Sequence, residues 1–281
     1  MKIAVLSGKG GTGKTLVSVN LAAVADKGGY FDCDVEEPNG HLFLKPSLIG
    51  EEEVTSLKPV VDMDRCDGCK VCVTACVYKA LAYILGELMI FDEICHACGL
   101  CTYLCPQQAL KETKRVIGTI RRGERGSLSV HTGKMRIGES TGVPIIKKLL
   151  KKLDDDLSII DSPPGSGCLV LETIEHADYC LLVAEPTMFG AQNLALVHEL
   201  TRVMNKPAGV LLNKVEDGLN PSELYAKEHD LKILASLPYD SYAALESSNA
   251  ELLVERSEKY RTFFLELLKE VVDEATLAAQ R

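Results

Sequence analysis

Two stretches of this chain place reactive residue types at spacings that do chemistry. Gly8, Lys9, Gly10, Gly11, Thr12, Gly13, Lys14 and Thr15 satisfy G-x-x-x-x-G-K-[ST]. Glycines there let backbone N–H groups turn inward on phosphate oxygens, and the N-terminus of a following helix adds positive potential. Lys14 is expected at the terminal phosphates of a nucleotide and the Thr15 hydroxyl on Mg²⁺. The second stretch is a cysteine block. Cys66, Cys69, Cys72 and Cys76 form C-x2-C-x2-C-x3-C, and Cys95, Cys98, Cys101 and Cys105 repeat it 29 residues later, followed by Pro106. Thiolates at these spacings bind iron–sulphur clusters or, as the competing reading, structural zinc.

The elements that must hold these residues follow from the apolar pattern. A short buried strand is expected at 2–7 and a helix at 13–27, the strand–helix context that makes the phosphate loop credible. Further strands are expected at 157–161, 179–185, 208–213 and 232–238, with "YFDCD" as a short second strand whose start is poorly marked. Helices are expected at 144–153, 190–204, 221–229 and 257–279. Strands alternating with helices imply an α/β domain with a parallel sheet covered on both faces. Residues 60–113 interrupt this alternation as an insert, leaving 1–59 and 114–281 as the main domain, with 114–142 read as a returning hairpin. The lysines of "KKLLKKLDDD" (147–156) lie opposite an apolar face and read as a solvated helix surface.

Bulk properties exclude several classes. The chain has 281 residues, a net charge of −9 and 46% hydrophobic residues. That charge argues against a general nucleic-acid or acidic-lipid binder. No apolar run is long enough to span a bilayer and the opening residues lack a signal-peptide pattern, so a cytoplasmic protein without a membrane anchor is expected. In a reducing compartment the 11 cysteines are not read as disulfides. Cys33, Cys168 and Cys180, outside the block, are read as small buried residues.

Lys9, the extra lysine in "GKGGTGKT", makes the loop resemble the deviant phosphate loop of the MinD/Mrp/ParA ATPases. "DCDVEEPN" (32–39) resembles that family's first switch, "IIDSPPG" (159–165) its second, and "LLNK" and "LPYD" its adenine-contacting segments. The resemblance implies Asp32 and Asp161 near Mg²⁺ and Asp34 orienting the attacking water. It also implies Asn213 and Pro238 near the base, and Lys9 reaching a partner's nucleotide in an ATP-dependent homodimer. The cysteine block resembles bacterial two-cluster ferredoxins, where each fourth cysteine serves the other cluster. This implies one [4Fe–4S] cluster on Cys66, Cys69, Cys72 and Cys105, and a second on Cys95, Cys98, Cys101 and Cys76. Val77 stands where ferredoxins place proline, which spares the ligands and leaves room for different potentials. The whole is similar to the MinD-superfamily ATPases that carry an inserted ferredoxin domain.

Three functions fit these expectations. The first is an ATPase coupling nucleotide state to electron transfer toward a protein partner. The second is a carrier or assembly factor for iron–sulphur or related metal cofactors. The third is a redox-sensing MinD/ParA-like positioning switch, for which the sequence offers no basic C-terminal anchor.

Overall fold

Short apolar runs feeding helices build most of this molecule. The computed structural model describes residues 1–25, 27–153 and 156–280. The chain runs β1 (Lys2–Leu6), α1 (Lys14–Ala25), β2 (Lys27–Asp32), α2 (Gly40–Leu44) and β3 (Ser47–Val61). The cysteine segment follows as α3 (Val71–Ala75), β4 (Leu81–Ile84), β5 (Glu87–Ile90) and α4 (Leu100–Leu104). The chain returns through β6 (Leu110–Arg125), β7 (Ser127–Met135), α5 (Val143–Leu150), β8 (Ser158–Asp161) and α6 (Cys168–Glu175). It ends with β9 (Tyr179–Ala184), α7 (Met188–Val203), β10 (Ala208–Val215), α8 (Pro221–Glu228), β11 (Lys232–Pro238), α9 (Ser241–Ser248), α10 (Leu253–Arg256) and α11 (Glu258–Ala279).

Among the described residues one nine-stranded sheet has the order β11-β10-β9-β1-β8-β2-β7-β6-β3. Neighbours from β11 to β7 are parallel, while β6 and β3 join antiparallel. Every residue of β8 and β9 is buried, as continuous apolar runs in a doubly covered parallel sheet require. Alternation splits β1 between two cores. Ile3 and Val5 face α1, α10 and α11, whereas Ala4 and Leu6 face the layer of α5 to α8. No helix among the described residues is long and apolar enough to cross a membrane.

The five clearest strand expectations and the five helices correspond to observed elements with ends shifted by at most two residues, except that α5 stops at Leu150, three residues before the expected end. Asp26 of the first expected helix, and Asp154 and Asp155 of the lysine–aspartate run, lie outside the described residues. β2 begins earlier than "YFDCD" suggests, because Lys27–Gly29 pair with Ser127–Ser129 of β7. The lysine run at α5 is a solvent-facing surface as expected, with Lys147, Lys151 and Lys152 exposed and Lys148 half-buried, and its ion pairs lie at that surface. Lys148 lies 3.0 Å from Glu52, Lys147 lies 3.6 Å from Glu172, and Lys152 also pairs with Glu52.

The β3–β6 ribbon is the main addition to the expected fold. It pairs from Ser47 opposite Glu124 to Val61 opposite Leu110, continuing the main sheet into the cysteine segment. Gly118 of β6 sits opposite Met135, the last residue of β7. The stretch 110–117 with its β3 partners therefore runs on past the carboxyl end of β7. Asp32, Asp161 and Thr132 are aligned at that same edge. In open α/β sheets ligands bind in the crevice outside these strand ends.

Candidate functional site

The loop between β1 and α1 is folded by its glycines. Gly11 and Gly13 have φ of 80° and 91°, values that L-side chains resist. A Cβ on Gly13 would stand 2.3 Å from the Asn213 amide nitrogen, so glycine also permits close packing there. Asn213 donates to the Thr12 carbonyl at 2.7 Å and accepts from the Lys214 N–H at 2.9 Å. Lys214 Nζ donates to the Gly11 carbonyl at 2.6 Å, so β10 braces the loop from its carboxyl end.

The loop forms one wall of a cleft holding about 1500 Å³ of empty space, counting its solvent-open mouth. Lys9 through Thr15, Asp34, Asn213 and Pro238 all line it. Gly8 packs behind, where a Cβ would collide with the Asn193 backbone. Asp32 and Asp161 are fully buried beneath the cleft. Lys14 Nζ donates to Asp161 Oδ1 at 2.5 Å and lies 3.9 Å from Asp34 Oδ2. Thr15 Oγ1 is 3.4 Å from the same ammonium. Asp161 also accepts from Ser18 Oγ at 3.1 Å and Tyr30 OH at 2.8 Å, while Asp32 accepts from the Gly40 N–H at 3.0 Å. Lys9 is paired with Glu185, which also holds Lys214 at 2.7 Å.

Three carboxylates close to one ammonium set the electrostatics. Burial, with Asp161 adding to it, pushes the Asp32 carboxyl well above its ordinary range. Burial pushes Asp34 up to about 6, with Lys14 opposing and Asp161 reinforcing. Burial works against the charge on Lys14, but Asp161 outweighs it and holds the pKa above the ordinary lysine value. Such an arrangement favours a cation among the carboxylates, because each buried acid is costly to keep ionised alone.

Sequence reasoning missed Ser18, Tyr30, Glu185 and Lys214, whose contacts span large sequence separations. Glu185 carried one usable signal: it follows the last residue of a parallel strand, at the crevice edge.

The cysteine segment repeats itself in three dimensions. α3 and α4 occupy equivalent places, entered by left-handed Lys70 and Gly99. The Ala80 and Ala109 N–H groups each donate at 3.3 Å to a fourth cysteine, Cys76 and Cys105. Two cavities result, with empty space of about 360 and 350 Å³. Cys66, Cys69, Cys72 and Cys105 line one, and Cys76, Cys95, Cys98 and Cys101 line the other. The fourth cysteine of each run thus crosses to the other run's cavity. Tetrahedral zinc at about 2.3 Å from each sulphur would need thiols about 3.8 Å apart. Among the described residues, the one group of three or more His, Cys, Asp or Glu donors mutually within 4.8 Å is Glu172, Glu175 and His176; no cysteine trio qualifies. The spread thiols fit a larger, multi-iron group better than one ion.

Of the other cysteines, Cys33 and Cys180 are buried as expected. Cys168 is not. It is exposed, because it opens α6 directly after the Ser162–Gly167 turn instead of facing the core.

Residues 3–253 match the family model described as CobQ/CobB/MinD/ParA nucleotide binding domain. An uncharacterized protein of Methanocaldococcus jannaschii is 30% identical over 277 residues, 96% of each chain. An iron-sulfur cluster carrier protein of the same organism is 24% identical over 298 residues, covering 97% of this chain and 84% of its own. Among solved structures, the septum site-determining protein MinD of Pyrococcus horikoshii, complexed with Mg-ADP, superposes with a TM-score of 0.63 at 18% identity. That match covers 100% of this chain and 99% of the other. The phosphate loop, the buried aspartates at the carboxyl edge of the sheet and a family match over most of the length agree: this chain belongs to the CobQ/CobB/MinD/ParA nucleotide-binding family.

Proposed function

We propose that this protein binds and hydrolyses ATP and couples its nucleotide state to two [4Fe–4S] clusters, gating electron transfer to a protein partner. The observation that carries this reading is placement. The chain enters the β3–β6 ribbon after Asp34 and comes back from it before Asp161, and the cysteine segment with both cavities extends from the ribbon end that runs past the carboxyl edge of the sheet. Bound clusters would supply one-electron transfer, held by the two crossed sets of four thiolates.

The chain's own groups divide the remaining work. Lys14 would exchange Asp161 for the terminal phosphates, freeing Asp161, with Asp32 and Thr15, for Mg²⁺. Asp34 would orient the attacking water. Lys9 would leave Glu185 to reach the nucleotide of a second copy, so that ATP holds a homodimer. The names of several relatives favour a second reading, a carrier or assembly factor for iron–sulphur clusters. ATP-dependent transfer of iron and sulphide to an apoprotein, with no electron delivery, would select it.

Hydrolysis tests the ATPase half directly. Asp34 must be ionised to act, so kcat/KM should rise with pH through an apparent pKa near 6, the value of the free protein. Asp34→Asn should be slower by about 100-fold or more, in the range typical of lost general-base assistance, and flat across that window. An Asp34→Asn variant as fast as wild type removes Asp34 from the chemistry.

A further inference from the structure

The two cysteine cavities are not attached to the nucleotide domain in the same way. The Cys95 carbonyl accepts from Lys58 Nζ at 2.5 Å and from Ser140 Oγ at 3.0 Å. Lys58 also donates to the Asp92 carbonyl at 3.1 Å and lies 3.6 Å from Glu139. Glu139 reaches Arg115 at 3.4 Å, and Arg115 grips Asp92. The Lys58 and Glu139 side chains are 5% and 4% exposed. A buried ion pair of this kind is poor value for stability, and its best-attested use is to fix one arrangement.

Glu139 and Ser140 belong to the loop between β7 and α5, and both ends of that loop touch Val35, the residue after Asp34. The Met135 N–H donates to the Val35 carbonyl at 2.8 Å. A Cβ on Gly142 would lie 2.4 Å from the Val35 side chain and 3.6 Å from Leu169 in α6, which follows the Asp161 segment. The loop is thus pinned to the residue beside Asp34 at its ends and to the Cys95 wall in its middle. The other cavity has a different support. Asp67 accepts from the Cys69 N–H at 3.1 Å and from Gln107 at 3.0 Å, all within the cysteine segment.

We infer that Lys58, Glu139 and Ser140 link the Asp34 segment to the Cys76/Cys95/Cys98/Cys101 cavity alone, so that nucleotide acts on one cysteine site and bypasses the other. The redox consequence rests on the proposed function, whereas the mechanical link does not. Hydrogen exchange of the whole chain with and without ATP reads the link without any cluster. ATP should alter exchange by about threefold or more at 136–142 and 92–98, as local opening energies shift, and leave 66–72 unchanged. Glu139→Gln should keep the response at 136–142 and lose it at 92–98. Ser140→Ala, which removes one hydrogen bond, should weaken the response at 92–98. Equal responses at 66–72 and 92–98, or an undiminished response at 92–98 in both variants, overturn the link.

Iron-loaded protein gives a second readout. Lys58→Met removes a positive charge beside one site and should lower one midpoint by about tenfold in the reduction equilibrium, ~59 mV, with Lys58→Arg close to wild type. Two midpoints moving together contradict the inference. A chain that binds no iron or sulphide defeats the functional reading, and the exchange result still decides the link.

Discussion

Replacing Lys14 by alanine should weaken nucleotide binding by more than about 100-fold. Its ammonium lies 2.5 Å from Asp161 and 3.9 Å from Asp34, and Asp32 is buried beside them. Without it those acids face the incoming phosphates with no cation between, and phosphate loses a charge-assisted donor. A loss of about 3 kcal/mol, the scale for stranding one partner of a buried pair, corresponds to more than 100-fold in affinity. Calorimetry measures this directly, and thermal unfolding provides a second view. Wild type at 100 times its Kd should gain about 2.7 kcal/mol of stability from ATP, and the variant only about 0.3 kcal/mol at the same concentration. Asp32 and Asp34 already have raised pKa values, so the apo variant should keep its fold by taking up protons. Wild-type affinity in Lys14→Ala would remove this loop from the nucleotide site.

The second large effect concerns iron. Anaerobically reconstituted protein should hold about eight iron and eight sulphide per chain, the content of two cubanes. Cys72→Ala or Cys101→Ala, each at the buried wall of one cavity, should reduce this to about four. The crossing makes a sharper demand. Cys66→Ala with Cys105→Ala removes two thiols from one cavity and should still leave about four iron. Cys66→Ala with Cys76→Ala removes one from each cavity and should leave close to none. Stoichiometric zinc without sulphide would overturn the cluster reading altogether.

The parallel strands were legible because burial on both faces demands unbroken apolar runs, as in "LSIID" and "YCLLVA". The phosphate loop and the cysteine repeat were legible because backbone turns and thiolate geometry fix residue type locally. The β3–β6 ribbon was not. Its sequences "GEEEVTSLK" and "KETKRVIGTIRRGER" are charged, since an antiparallel edge ribbon is stabilised partly across strands, as Glu51 and Arg121 show at 3.2 Å. Such pairing is visible only once the register is known. The same applies to Tyr30 and Ser18 on Asp161, and to Cys168, whose exposure depends on where α6 begins. Local chemistry is written in short motifs; contacts between distant segments are written in register.

Coupling between nucleotide and clusters is the central claim, and reduction midpoints measured with and without ATP test it most directly. The Asp34→Ala variant, which the proposed role of Asp34 would make slow to hydrolyse ATP, would keep the nucleotide state fixed during titration. Linkage requires that ATP and reduction shift each other's equilibria by the same factor. Couplings of about 1–3 kcal/mol correspond to roughly 40–130 mV for one electron. At least one midpoint should move by that amount, and ATP affinity should differ between oxidised and reduced protein by the matching factor. Both midpoints unchanged within ~20 mV, far below a tenfold effect, would contradict the account.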